Sequence, residues 1–148
     1  MNLGVYMETA QMSDDLQGAL QAINEGLQAR NLSDASIFYD TLGANTLPSK
    51  CGWFHSTDLW NFTGSLIATS INTALTASTV INKFKILLYY SRQDKDLMGL
   101  MKVAKDPSTK IICREQEDEK ELARLTGRKS SGVVNNFNLE EILEVIKS

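Results

Sequence analysis

Apolar residues along the chain alternate between two rhythms, short near-continuous runs and longer stretches with helical spacing. Leu3 to Met7 is a short apolar run that gives way to Glu8 and Thr9, the form of a buried strand entering a loop. Ser13, Asp14 and Asp15 then supply capping and negative charge, after which Leu16, Leu20, Ile23 and Leu27 recur at spacings of four, three and four. This predicts an amphipathic helix ending near Asn31. Ala35 to Tyr39 reads as a second strand closed by Asp40 and Thr41, Gly43 to Pro48 as loop chemistry, and Cys51 to His55 as a third strand. No helix fits between these two strands. Either a loop crosses the sheet there or the two strands are antiparallel neighbours, since parallel crossovers usually span about a dozen residues or more; the loop crossover is the favoured link.

The segment from Ser56 to Ser65 is expected to lead into a helix over about 66–80, with a body of small residues that permits close approach to a sheet and with Asn82 as its C-cap. Phe84 to Tyr90 is the most apolar run and suits a central strand buried on both faces. Leu97, Leu100, Met101 and Ala104 mark another helix, stopped by Asp106 and Pro107. Lys110 to Cys113 is a fifth strand, and Glu117 to Leu125 a short helix with Gly127 as its cap. Val133 and Val134 suit a brief last strand, and Asn138 caps a closing helix that carries Leu139, Ile142, Leu143 and Ile146. The pattern predicts one α/β domain over 1–148. It is a three-layer sandwich with a mainly parallel sheet of about five strands and helices on both faces, Rossmann-like or flavodoxin-like in layout.

Composition agrees with that class. A chain of 148 residues, 43% of them hydrophobic, can bury enough surface to fold without disulfides or metal. A formal net charge of -3 and a pI near 5.2 offer no positive field for a polyanion, so nucleic acid is not an expected partner. The first residues lack a basic segment and Glu8 interrupts their apolar run, so no signal peptide is expected. No run approaches the roughly 18–20 apolar residues of a membrane span, and a cytoplasmic protein without membrane partners is expected. Cys51 and Cys113 read as reduced core thiols. If Cys51 and His55, the single histidine, share one strand, they lie about 13 Å apart by strand rise, too far for a catalytic pair.

In a doubly wound sheet, ligands bind beyond the carboxyl ends of the strands. That rule selects Glu8, Thr9, Asp40, Ser56, Thr57, Asp58, Arg92 and Arg114. Thr63, Gly64 and Ser65 are expected to open a helix beyond a strand end, where backbone N–H groups and two hydroxyls would hold a phosphate or carboxylate. Arg92 and Arg114 would clamp an anion bidentately. Asp58 and Glu8 have the chemistry of an acid and a base, yet nothing in the sequence sets their separation, so no catalytic residue is assigned. The chain lacks both a dinucleotide fingerprint and a P-loop, and its one histidine and separated cysteines do not suit zinc. No cofactor or metal is expected. The acidic stretch Glu115 to Glu121, interrupted by Lys120, reads as a solvated helix start.

The run Lys110-Ile111-Ile112-Cys113-Arg114-Glu115, followed by Glu117 to Gly127 and by Gly132 to Glu140, resembles the closing stretch of the N-terminal domain of GT-B glycosyltransferases. In that family a strand with a polar end leads through a short helix and another strand to an Asn-rich turn before the next helix. The resemblance covers about the last third of the chain. Here Glu8-Thr9-Ala10-Gln11-Met12 stands where the family usually has a glycine-rich loop, and the family's donor-sugar residues belong to a second domain. The resemblance therefore implies a fragment that needs a partner domain for transfer. The functional expectation is a domain that binds an anionic or sugar-containing small molecule, such as a nucleotide-sugar, at the carboxyl edge of its sheet. The rival expectation is a non-enzymatic module that self-associates through the small-residue helix or through Trp53 and Trp60.

Overall fold

The computed structural model describes residues 1–43, 49–82 and 84–148. Among them six strands form one parallel sheet in the order β3-β2-β1-β4-β5-β6. The strands are β1 (Asn2–Ala10), β2 (Asp34–Leu42), β3 (Gly52–His55), β4 (Ser65–Ala68), β5 (Lys85–Tyr90) and β6 (Thr109–Cys113). This is the strand order of dinucleotide-binding doubly wound sheets rather than that of flavodoxin. β2 and β3 are parallel neighbours, as a loop crossover requires. Beyond Gly43, the loop expected up to Pro48 lies outside the described residues.

Side-chain alternation divides each strand between two cores. Leu3, Val5 and Met7 of β1 face one core, together with Ile37, Ile67, Leu87 and Ile112. Over it lie α1 (Asp14–Gln28), contributing Leu16, Leu20 and Ile23, and α5 (Leu139–Lys147), contributing Ile142 and Ile146. The opposite face packs against α2 (Ile71–Ser78), α3 (Leu97–Lys105), α4 (Gln116–Thr126) and a 3-10 helix, Ser56–Asn61. Caps follow the sequence closely. Ser13 Oγ accepts from Leu16 N, Asn138 Oδ1 accepts from Glu141 N, and Gly127 closes α4 with φ of 74°.

Four expectations fail. Leu66 to Ala68 do not begin a helix; they belong to the fully buried four-residue strand β4, the sixth strand that the sequence reading did not count. A short apolar run carries no period that separates a buried strand from a buried helix. The helix starts only at Ser70, where Ser70 and Thr73 form a reciprocal capping box, and it ends at Thr79 rather than Asn82. Asn82 instead donates its amide to the carbonyls of Phe62 and Leu59. Val133 makes one isolated bridge to Cys113, not a strand. The acidic start of α4 is not wholly solvated, because Asp118 is buried and accepts from the backbone N–H groups of Arg92 and Glu115 at 2.9 and 3.0 Å. No helix among the described residues is long and apolar enough to cross a membrane.

Candidate functional site

The strand order reverses between β1 and β4, where successive connections pass to opposite faces of the sheet. β1 leaves the core through Glu8 and Thr9, and Thr69 and Ser70 follow β4 at the same edge. Two adjoining hollows share Glu8, Asp15, Thr69 and Ser70 in their walls. The larger, about 390 Å3, extends to Ser91, Gln93, Asp94, Asp96 and Arg114. The smaller, about 230 Å3, extends to Thr9 and Ser13.

Arg114 fastens the floor of this crevice. Its guanidinium takes both carboxylate oxygens of Asp15, and Nη2 also donates to the carbonyls of Thr69 at 2.9 Å and Tyr89 at 3.3 Å. The same group stacks 4.4 Å from the centre of the Tyr89 ring. Burial pushes the Tyr89 phenol up from its ordinary value, and its hydroxyl donates to the Val134 carbonyl at 2.5 Å. The first turn of α1, β4, β5 and the turn before α5 are thus tied at one point.

The carboxylates of the crevice also meet partners from the chain itself. Asp94 Oδ2 accepts from Ile71 N at 2.8 Å, and Asp96 Oδ1 from Gly99 N at 2.9 Å, so carboxylates stand at the starts of α2 and α3. Asn72 Nδ2 donates to Glu8 Oε1 at 2.8 Å across the mouth. The start of α1 carries Asp14 and Asp15 beside its Ser13 cap. Among the described residues three helix N-termini open here, each with acidic side chains in attendance and without a glycine-rich approach, and Arg114 is the one basic side chain in the walls. An added phosphate would meet carboxylate repulsion from several sides, and of the Arg114 guanidinium only the buried Nε–H lacks an acceptor among the described residues. A molecule rich in hydroxyls would find acceptors with lone pairs to spare, because a carboxylate offers about four lone-pair sites.

The sequence-selected residues are scattered around this arrangement. Glu8, Thr9 and Arg114 line the crevice. Asp40 and Ser56 lie at the carboxyl ends of β2 and β3, where Asp40 Oδ1 accepts from Tyr6 Oη and Ser56 Oγ, each at 2.6 Å. Burial first, and then Asp40, push the Tyr6 phenol far above its ordinary value. Thr57 bonds to His55 through its backbone N–H and its hydroxyl. Arg92 is held by Glu115 and Asp118 at 3.0 and 3.2 Å and is no free clamp.

Thr63, Gly64 and Ser65 require correction. They sit at the amino end of β4, opposite the crevice, and they begin a strand. Gly64 has φ of 129°, and a Cβ there would lie 2.4 Å from the Asn2 carbonyl oxygen, so close backbone approach rather than anion binding explains the glycine. Asp58 likewise lines a pocket at the amino end. The crevice residues that sequence reading missed, Thr69, Ser70, Asn72 and Asp94, were hidden by the misread β4. Once Ala68 is a strand end, the carboxyl-edge rule selects Thr69 and Ser70 directly. The small-residue helix does not offer a free surface along its full length, because Ala74 and Ala77 are core residues. Cys51 contacts Ser49 while His55 contacts Asp40 and Thr57, and burial pushes the thiol of Cys51 up and that of Cys113 to about 12.

No family model, curated protein or solved structure matches this chain.

Proposed function

We propose that the domain binds a small hydroxyl-rich molecule, a sugar or the sugar moiety of a larger compound, in the crevice between the carboxyl ends of β1 and β4. The observation that carries this reading is the crevice at the point of strand-order reversal, walled by acceptor oxygens, while the one guanidinium in its walls among the described residues turns both Nη groups to Asp15. Bare anions are disfavoured by the same geometry, so the anionic part of any ligand would point outward. The resemblance of residues 110–140 to GT-B glycosyltransferases supports the same chemical class. No side chain is assigned to bond breaking, and the proposed role is binding.

The test is an NMR titration of labelled protein with neutral saccharides, sugar phosphates, nucleotide-sugars and inorganic phosphate. Saturable shifts at Thr69, Ser70, Asn72 and Gln93 with the hydroxylated compounds, lost in the Gln93→Trp variant, are expected. Saturable binding of inorganic phosphate in the crevice, or no response there to any compound, overturns the reading.

A further inference from the structure

A different hollow opens at the amino end of the sheet, on the face covered by the 3-10 helix. Gly4, Ser36 and Gly52 are register partners across β1, β2 and β3, so small residues of three strands stand in one row. A Cβ on Gly4 would lie 3.0 Å from the Phe62 ring, and one on Gly52 would lie 2.6 Å from the Phe54 ring. Each ring therefore leans over a glycine, and the Ser36 hydroxyl is left at the bottom between them. Phe38 closes the wall, with its ring centre 5.9 Å from Phe54 and 5.3 Å from Phe62. A full helix over this face would fill the space; the short 3-10 segment leaves a cavity of about 410 Å3, within the range of about 300–1,000 Å3 that small-molecule sites occupy.

The chemistry of the walls is one-sided. Asp34 and Asp58 supply carboxylates, and no basic side chain lines the pocket among the described residues. Among the described residues Asp58 has neither a hydrogen bond nor an ion pair, in contrast with the carboxylates of the crevice. Asn2 donates its amide N–H to the Thr63 carbonyl at 2.5 Å, but its Oδ1 is a buried acceptor with no donor among the described residues. Aromatic faces attract cations, and unmet acceptors call for N–H donors.

We propose that this pocket is a second binding site, which takes a flat aromatic ring bearing a positively charged nitrogen group, such as an amidine or a protonated amino-heterocycle. The ring lies between Phe54 and Phe62 above Ser36, and its charged edge points to Asp58 and Asp34.

Benzamidine is the probe, with benzoate and Nα-acetylarginine amide as controls. Isothermal titration with NMR mapping should show benzamidine saturating at Ser36, Phe54 and Asn61, with both controls at least about tenfold weaker. Ser36→Leu fills the hollow with apolar atoms beside existing rings and should weaken benzamidine by more than about tenfold at an unchanged or higher Tm. Asp58→Asn, an exposed change that does not depend on repacking, should weaken it by about two- to fivefold. Equal binding of benzoate, tighter binding of the arginine derivative, benzamidine affinity unchanged in Asp58→Asn, or no saturation by wild type at millimolar concentrations would each overturn the proposal.

Discussion

At the carboxyl ends of β1 and β4 the carboxylates are answered from within the chain and Arg114 keeps only its Nε–H without an acceptor among the described residues, whereas at the amino ends of β1 to β3 an aromatic-walled hollow leaves the Asp58 carboxylate and the Asn2 side-chain oxygen Oδ1 unanswered. Both places are polar and concave, and both are lined by residues that a rule based on polarity would select. They differ in what their polar groups are already doing. Asp15, Asp94 and Asp96 hold Arg114, the start of α2 and the start of α3. Asp58 holds nothing among the described residues. A polar strand end is therefore evidence of architecture until its partners have been counted, and only the acceptors left over bear on ligands.

The broadest way to disturb this contrast is alkali. Burial raises the phenols of Tyr6, Tyr89 and Tyr90, the last to about 12, and the thiols of Cys51 and Cys113. A group whose folded pKa is raised stabilises the fold fully below its unfolded pKa and loses that contribution as pH climbs through the folded value. Stability should be flat up to about pH 9, the ordinary thiol value, and should then fall continuously toward about pH 12. Urea titrations from pH 7 to 11 measure this. Because Tyr89 lies beneath Arg114 and no tyrosine lines the amino-end pocket among the described residues, amide exchange should rise first at the carboxyl ends of β5 and β6. A uniform rise at both ends contradicts the comparison.

Next in size is Gly64→Ala. The positive φ and the 2.4 Å approach to the Asn2 oxygen leave the new Cβ no room, so a loss of about 3 kcal/mol or more is expected in urea unfolding. The β1–β4 pairing at Leu3 and Ser65 should be disturbed while the Arg114 contacts persist. A loss below about 1 kcal/mol would show that this backbone junction can yield. Arg114→Met attacks the other end. It strands the Asp15 carboxylate and two carbonyls, but the pair is partly solvated, so a smaller loss of about 2 kcal/mol is expected, read from the same curves.

Much of the architecture was legible because helices announce their period and their caps. Ser13, Asn138 and Gly127 mark helix boundaries that the structure keeps within a few residues. β4 was not legible, since Ser65 to Ala68 is too short to display a period and is followed by small residues that suit a helix equally well. That single error moved Thr63, Gly64 and Ser65 from one end of the sheet to the other and hid Thr69 and Ser70. Arg114 was legible as a strand-end cation but not as a structural fastener, because its partner Asp15 lies 99 residues earlier in the chain. The hollow over Ser36 was invisible for the same reason. It depends on the registration of glycines from separate strands, which no local pattern contains.

The finest test compares two aspartates of different employment, the half-buried Asp94 and the exposed Asp58. Asp94→Ala removes the acceptor for Ile71 N at the start of α2, and loss of such a cap costs about 0.5–2 kcal/mol. Asp58→Asn removes a charge that bonds to nothing among the described residues and should shift stability by no more than about 0.5 kcal/mol in either direction. Thermal and urea unfolding of the two variants, run side by side, give the difference directly. Equal losses would mean that the amino-end carboxylate is also structural, and the distinction between occupied and open polar groups would fail at its sharpest point. A clear gap, with Asp58→Asn as stable as the parent, leaves that carboxylate without a role in folding and free to serve the pocket it lines.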